Sequence, residues 1–279
     1  MTALAARPAG SPRRPSGFAT LVLATAFGLF LGLPVVVLVA RAVLGGGLLA
    51  AILSPVVLDA VVLSLLTTAV SLVFIVGLGL PLAFVLARRR FRGSSLLETA
   101  IDLPIVLPPS VAGLALLLIF GRQGVLGRPL DVFGLAVPFT TFAVIIAQTF
   151  VAAPFFVRSA RAGLAGVERD LEDAARVDGA TERDVARWVT LPLAAPALTA
   201  GMIMCWARAL GEFGATIMFA GNIPGRTQTL PLVVYSEFQG GDLEASIAAA
   251  SILVLAAFGV LVSVRAVHWR RALDVRTES

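Results

Sequence analysis

Arg208 and Glu212 are the residues in this chain best placed to do chemistry. They are opposite charges four positions apart inside the apolar run Leu198–Ala220. On a continuous helix they share one face and can pair. At about 1.5 Å of rise per residue they lie near the middle of a bilayer-crossing helix that begins near Ala197. Ionisable groups at that depth are costly and face a partner or a wet cavity. A carboxylate beside a guanidinium is not a nucleophile–base pair. The pair therefore reads either as a structural ion pair or as part of a gate. The other reactive side chains stand alone. Cys205 is the single cysteine and cannot form an internal disulfide. His268 has no second ligand beside it, so no metal site is expected. Asp178 and Glu182 read as solvated acids, not as general acid and base. All 22 basic residues are arginine. Without lysine the chain cannot build the Gly-Lys-Ser/Thr phosphate loop, so it does not hydrolyse ATP by that route.

The elements that carry these residues are those of a membrane protein. Of 279 residues, 58% are hydrophobic and 14% are charged, and the mean hydropathy is +0.94. Soluble domains carry about 25% charged residues. Several windows exceed the roughly 18 apolar residues that mark a bilayer span. The alternating strands of a transmembrane barrel are not evident. The expected fold class is all-α integral membrane, with six spans: Phe18–Val43, Leu58–Leu86, Ile101–Phe120, Pro138–Phe156, Leu198–Ala220 and Ala245–Val267. The first, although preceded by Arg7, Arg13 and Arg14, lacks a clean cleavage site and is read as a retained helix. The organisation that follows is a tail (1–17), a first helix with an external loop (18–57), a transmembrane domain (58–267) and a second tail (268–279).

Arginine placement sets the orientation. Arg7, Arg13, Arg14, Arg88, Arg89, Arg90, Arg92, Arg158, Arg161, Arg169, Arg176, Arg183, Arg187, Arg265, Arg270, Arg271 and Arg276 fall on one side, and Arg41, Arg122, Arg128 and Arg226 on the other. The positive-inside rule then puts both termini and the long loop in the cytoplasm. The same placement accounts for a pI near 11 without nucleic acid. The third span holds Asp102, Pro104, Pro108, Pro109, Ser110 and Gly113. Broken backbone at membrane depth survives only where protein or a water-filled cavity satisfies it. Pro108, Pro109 and Ser110 are therefore candidates for lining a pathway, the alternative being a proline kink for packing.

The stretch 164–192 is the one long charged insert. Leu164, Val167, Leu171, Ala174 and Ala175 follow helical spacing. Glu168, Asp170, Glu172 and Asp173 crowd its early part, where a helix dipole favours acids. Gly179 is placed to end that helix. Thr181 opens another, with Asp184 three residues on as a capping box. The expectation is helix, glycine corner, helix, with Ala174 and Ala175 permitting close approach of another surface. The alternative is a self-packed amphipathic hairpin lying at the bilayer.

This loop resembles the EAA loop of permease subunits in ATP-binding-cassette importers. The family pattern is Glu-Ala-Ala, three residues, Gly, nine residues, Ile, one residue, Leu-Pro. Here it reads Asp173-Ala174-Ala175, then Gly179, Val189 and Leu191-Pro192, with Glu172 supplying a neighbouring acid. Asp102–Gly127 and Trp206–Tyr235 resemble molybdate permeases. The run ARALGEFGA is also shared by sulfate and thiosulfate permeases. The resemblance implies a type I importer permease, coupled through Glu172, Asp173, Ala174, Ala175, Gly179, Val189, Leu191 and Pro192. It also implies a homodimer, a cytoplasmic ATPase dimer that binds ATP and Mg, an external molybdate-binding protein, and no cofactor in this chain. Sulfate import is the alternative cargo. An ion-coupled secondary transporter would show inverted repeats, which are not evident. A membrane enzyme would need a catalytic constellation that the spans lack.

Overall fold

The computed structural model describes residues 17–89 and 91–277. The expected N-terminal tail, with Arg7, Arg13 and Arg14, lies outside the described residues, as does Arg90. The elements are α1 (Gly17–Leu44), α2 (Gly47–Leu53), α3 (Pro55–Arg88), α4 (Ser94–Val106), α5 (Pro109–Phe120), α6 (Gly127–Val132), α7 (Thr141–Ala165), α8 (Arg169–Val177), α9 (Glu182–Val185), a π-turn (Ala186–Thr190), α10 (Leu191–Leu210), α11 (Gly214–Phe219), α12 (Leu230–Gln239) and α13 (Leu243–Thr277). Among the described residues five helices are long and apolar enough to cross a membrane, and a sixth span exists if α4 and α5 count as one. The chain is a multi-pass, all-α membrane protein.

The first two expected spans match α1 and α3 closely. Three others shift for local reasons. The fourth begins at Thr141, because the Thr140 hydroxyl accepts from the Ala143 N–H and caps the helix there. It runs on to Ala165, beyond Phe156. The fifth is not one helix from Leu198 to Ala220. It starts at Leu191, just ahead of Pro192, stops at Leu210, and resumes as the short α11. The last helix continues past Val267 to Thr277, through most of the expected C-terminal tail.

The third span departs most. Ile101–Phe120 is two helices, bent by 118° at Leu107–Pro108. Leu107 and Pro108 are extended, with ψ of 133° and 135°. A residue before proline is driven from helical geometry by the pyrrolidine ring. Two prolines in succession enforce this at consecutive positions, and Pro109 then suits the first turn of the next helix.

The centre of the molecule is the packing of α3, α7 and α10 through Ile75, Ala83, Ala152, Phe156, Leu164, Ala194 and Cys205. Without water to drive apolar burial, span association rests on close packing and interhelical hydrogen bonds. The Ser159 hydroxyl of α7 donates to the Ala197 carbonyl of α10 at 2.7 Å, and a Cβ on Gly201 would meet Ser159 Cβ at 2.8 Å. A second cluster joins α5, α7 and α11, and a third joins α2, α3, α12 and α13.

Candidate functional site

The elbow between α7 and α10 is the first place where charge concentrates. Its local structure follows the sequence signals. Asp170 and Glu172 stand in the first turn of α8, and Arg176 in the last. Asp178 closes the helix and Gly179 takes φ +92°. The Gly179 N–H then reaches the Arg176 carbonyl, and the Ala180 N–H the Ala175 carbonyl, both at 3.0 Å. This is a Schellman closure, which needs the left-handed conformation glycine adopts cheaply. Thr181 and Asp184 form the expected capping box. Arg176 spans the corner, with Asp173 at 2.6 Å and Glu182 at 2.7 Å. These partners, Glu182 foremost, hold its guanidinium above its ordinary pKa. Glu182 is thus paired, not merely solvated.

The side of α8 that faces inward is not its apolar one. Leu164 and Val167 are buried, but at the end of α7 and in the turn after it, not on α8. On α8 itself Leu171, Ala174 and Val177 are exposed, Val177 by 87%. The buried side chain is Glu172, only 5% exposed. Its Oε1 accepts from Arg88 Nη2 at 2.5 Å and from the Thr190 hydroxyl at 2.6 Å. Arg88 ends α3 and Thr190 ends the π-turn leading into α10. One carboxylate therefore ties the elbow to two spans. Asp173, aligned with the acid of the family pattern, is on the surface instead. Ala175 is half-buried. Val189 and Leu191 are half-buried, Leu191 packing against the central cluster, while Pro192 is exposed in the first turn of α10. Trp188 is 69% exposed, with the Arg187 guanidinium 5.1 Å from its ring centre.

The second site is where two helix breaks meet. Arg208 and Glu212 do pair, Nη1 to Oε2 at 2.7 Å. They do so across a break, not along a continuous helix. Arg208 is in the last turn of α10, Gly211 ends that helix, and Glu212 lies beyond it. Glu212 is 1% exposed, and its Oε1 accepts from the Ala215 N–H at 2.7 Å. It thereby serves the first turn of α11, where free amides favour an anion. Gly211 makes no close approach to another helix of this chain. Gly214 does: a Cβ there would sit 2.6 Å from Pro109 Cβ. A Cβ on Gly113 would sit 2.7 Å from the Ala215 carbonyl oxygen. So α5 and α11 lie in contact, and the break at Pro108–Pro109 abuts the break at Glu212. Pro108, Pro109 and Ser110 remain exposed in the single chain.

Sequence reasoning missed a polar seam inside the spans. Ser64, Thr67, Thr68 and Ser71 of α3 are buried. Gln148 of α7 receives the Ser71 hydroxyl on Oε1 at 3.1 Å and gives Nε2 to Thr68 at 3.3 Å. Ser64 accepts from the Leu230 N–H at 2.8 Å and so caps α12. The signal was present: these four residues recur at helical spacing within an apolar run.

Glu212→Ala should lower thermal stability in detergent by about 1–3 kcal/mol, because Arg208 loses its counter-ion and the Ala215 amide its acceptor. Glu212→Gln, which can still accept from Ala215, should lose less. Equal stability of wild type and Glu212→Ala would show that the pair does not hold the break.

Comparison with known proteins agrees with this geometry. The chain is 44% identical over 207 residues to the molybdenum transport system permease protein ModB of Mycobacterium tuberculosis, covering 74% of this chain and 78% of that one. It is 37% identical over 217 residues to the sulfate transport system permease protein CysT of Salmonella typhimurium, covering 78% of each. A bacterial ABC transporter involved in the import of the acidic polysaccharide alginate superposes with a TM-score of 0.72 at 18% identity, covering 91% of this chain and 94% of that one. The fold is accordingly that of type I ABC importer permeases. Residues 75–274 match the family of binding-protein-dependent transport system inner membrane components, and the chain belongs to that family.

Proposed function

We propose that this chain is the permease subunit of an ATP-driven molybdate importer, with α8 as the helix through which a separate ATPase acts. It works as a homodimer in the prokaryotic inner membrane, with both termini and the elbow in the cytoplasm. ATP and Mg are bound by the ATPase dimer, and an external binding protein delivers molybdate and supplies most of the selectivity. The permease offers a path that accepts the anion without trapping it. The observation that carries this reading is the orientation of α8. A water-facing helix that buries its glutamate and exposes Leu171 and Val177 is arranged to cover those apolar residues with another protein. Glu172 supports it further, because motion of the elbow is passed to α3 through Arg88 and to α10 through Thr190. The adjoining breaks at Pro109 and Glu212 are where the spans have irregular backbone to line or gate a path.

Leu171→Asp with Val177→Asp should weaken capture of the ATPase subunit by about 10- to 100-fold. The double variant should still insert and elute as wild type does, since neither side chain is in a core cluster. Unchanged co-purification of the ATPase would overturn the docking role. Cargo is read separately, by uptake of labelled molybdate against labelled sulfate in vesicles loaded with ATP. Preference for sulfate would replace the molybdate reading with the sulfate one suggested by the shared ARALGEFGA run.

A further inference from the structure

Below the elbow, the end of α3, the start of α4 and the end of α7 enclose a polar cavity of about 770 Å³. Arg88, Arg89, Arg161 and Arg169 line it, with Ser94, Ser95 and a single acid, Glu98. Arg161 is paired with Glu98 at 2.9 Å and Arg88 with Glu172. Arg89 and Arg169 form no ion pair among the described residues, so the cavity keeps a net positive charge. The amino end of α4 opens into it, and no side chain caps that end. Uncapped amides at a helix start favour an anion.

A separate groove lies beside the charged rim on the same three helices. One helical turn further in, Leu82, Ile101 and Val157 replace Leu86, Glu98 and Arg161, and an almost wholly apolar groove of about 280 Å³ begins. It reaches Phe74, Leu78 and Phe150, which it shares with a further apolar groove of about 450 Å³. From Leu86 to Phe74 is about 18 Å along α3 at the usual helical rise. Half of a bilayer's hydrocarbon thickness is about 15 Å.

We propose that this surface seats one anionic phospholipid, with its phosphate among the four arginines and one acyl chain along the groove between α3, α4 and α7. Charge complementarity selects the headgroup, and the placement of the apolar groove one helical turn from the arginine rim, along the same three helices, selects a lipid over a soluble phosphate. Arg88 and Arg169 also border the elbow, so the bound headgroup sits beside the junction that Glu172 makes. The inference rests on the chain spanning a membrane and is independent of its cargo.

The test uses the full chain, stripped of lipid in detergent and offered phosphatidylglycerol or phosphatidylcholine of identical chains, with retained lipid counted by native mass spectrometry. Wild type should hold one phosphatidylglycerol per chain in preference to phosphatidylcholine. Arg89→Gln with Arg169→Gln removes two surface charges that support no core contact, and should weaken phosphatidylglycerol binding by about 30-fold while leaving phosphatidylcholine unchanged. Ala100→Trp fills the groove without touching the charges and should weaken both lipids. Equal retention of the two lipids by wild type, or full retention of phosphatidylglycerol by both variants, overturns the proposal. Displacement of the lipid by millimolar inorganic phosphate would also overturn it, assigning the arginines to a soluble anion.

Discussion

Glu172→Ala is expected to destabilise the elbow by about 3–5 kcal/mol, the cost of leaving a buried cation without its partner. Arg88 is 13% exposed at its side chain and Glu172 7%, so water does not compensate either one. The loss also releases the Thr190 hydroxyl and with it the attachment of the elbow to α10. Uptake coupled to ATP hydrolysis should therefore disappear, while ATP hydrolysis by the partner continues or rises. Arg88→Ala should give the same result from the α3 side. The double replacement Arg88→Met with Glu172→Met should recover most of the stability, because no charge is left buried, but not the coupling. Thermal unfolding in detergent and uptake in reconstituted vesicles read the two properties separately. If the single variant unfolds at the wild-type temperature, the carboxylate does not hold the junction.

Gly179→Val should reduce coupled uptake at least tenfold with insertion intact. A Cβ at this position meets nothing within 4 Å, so crowding inside the chain is not the cause. The cause is φ of +92°, where a β-branched residue is strained by about 1–3 kcal/mol. Relief of that strain undoes the two hydrogen bonds that close α8 and turns Leu171 and Val177 away from their partner. Gly179→Asn separates the explanations. Asparagine tolerates left-handed geometry better, so it should keep most activity if backbone shape is what matters. If asparagine and valine are equally damaging, the open space at Gly179 is instead filled by the partner protein. Valine with unchanged uptake would remove the corner from the mechanism.

Much of this was legible in the chain because it depends on near neighbours. The Gly179 corner and the Thr181–Asp184 capping box are written within a few residues of one another, and both appear as expected. So does the irregularity of the third span, since Pro108 and Pro109 act on the residues beside them. The Arg208–Glu212 pair was legible from its spacing. Its setting was not, because Glu212 leaves the helix to serve Ala215, and nothing at that spacing signals a break at Gly211. The inward face of α8 was not legible for a related reason. Apolar spacing places Leu171 on one face of the helix but does not say what that face meets, and the partners that turn Glu172 inward are remote in sequence. Arg88 lies 84 positions away, beyond the reach of any local pattern.

The sequence by itself determined a multi-span helical membrane protein with a charged elbow, and the stops at Pro108–Pro109 and Gly179. Those features follow from hydropathy and backbone sterics, which act over one or two turns. Only the tertiary structure decided that Glu172 joins α3, the elbow and α10, that α4 and α5 fold back on each other by 118°, and that Pro109 meets Gly214. Each of those depends on which distant groups satisfy a buried charge or fill a close contact, and that is fixed only when the helices pack.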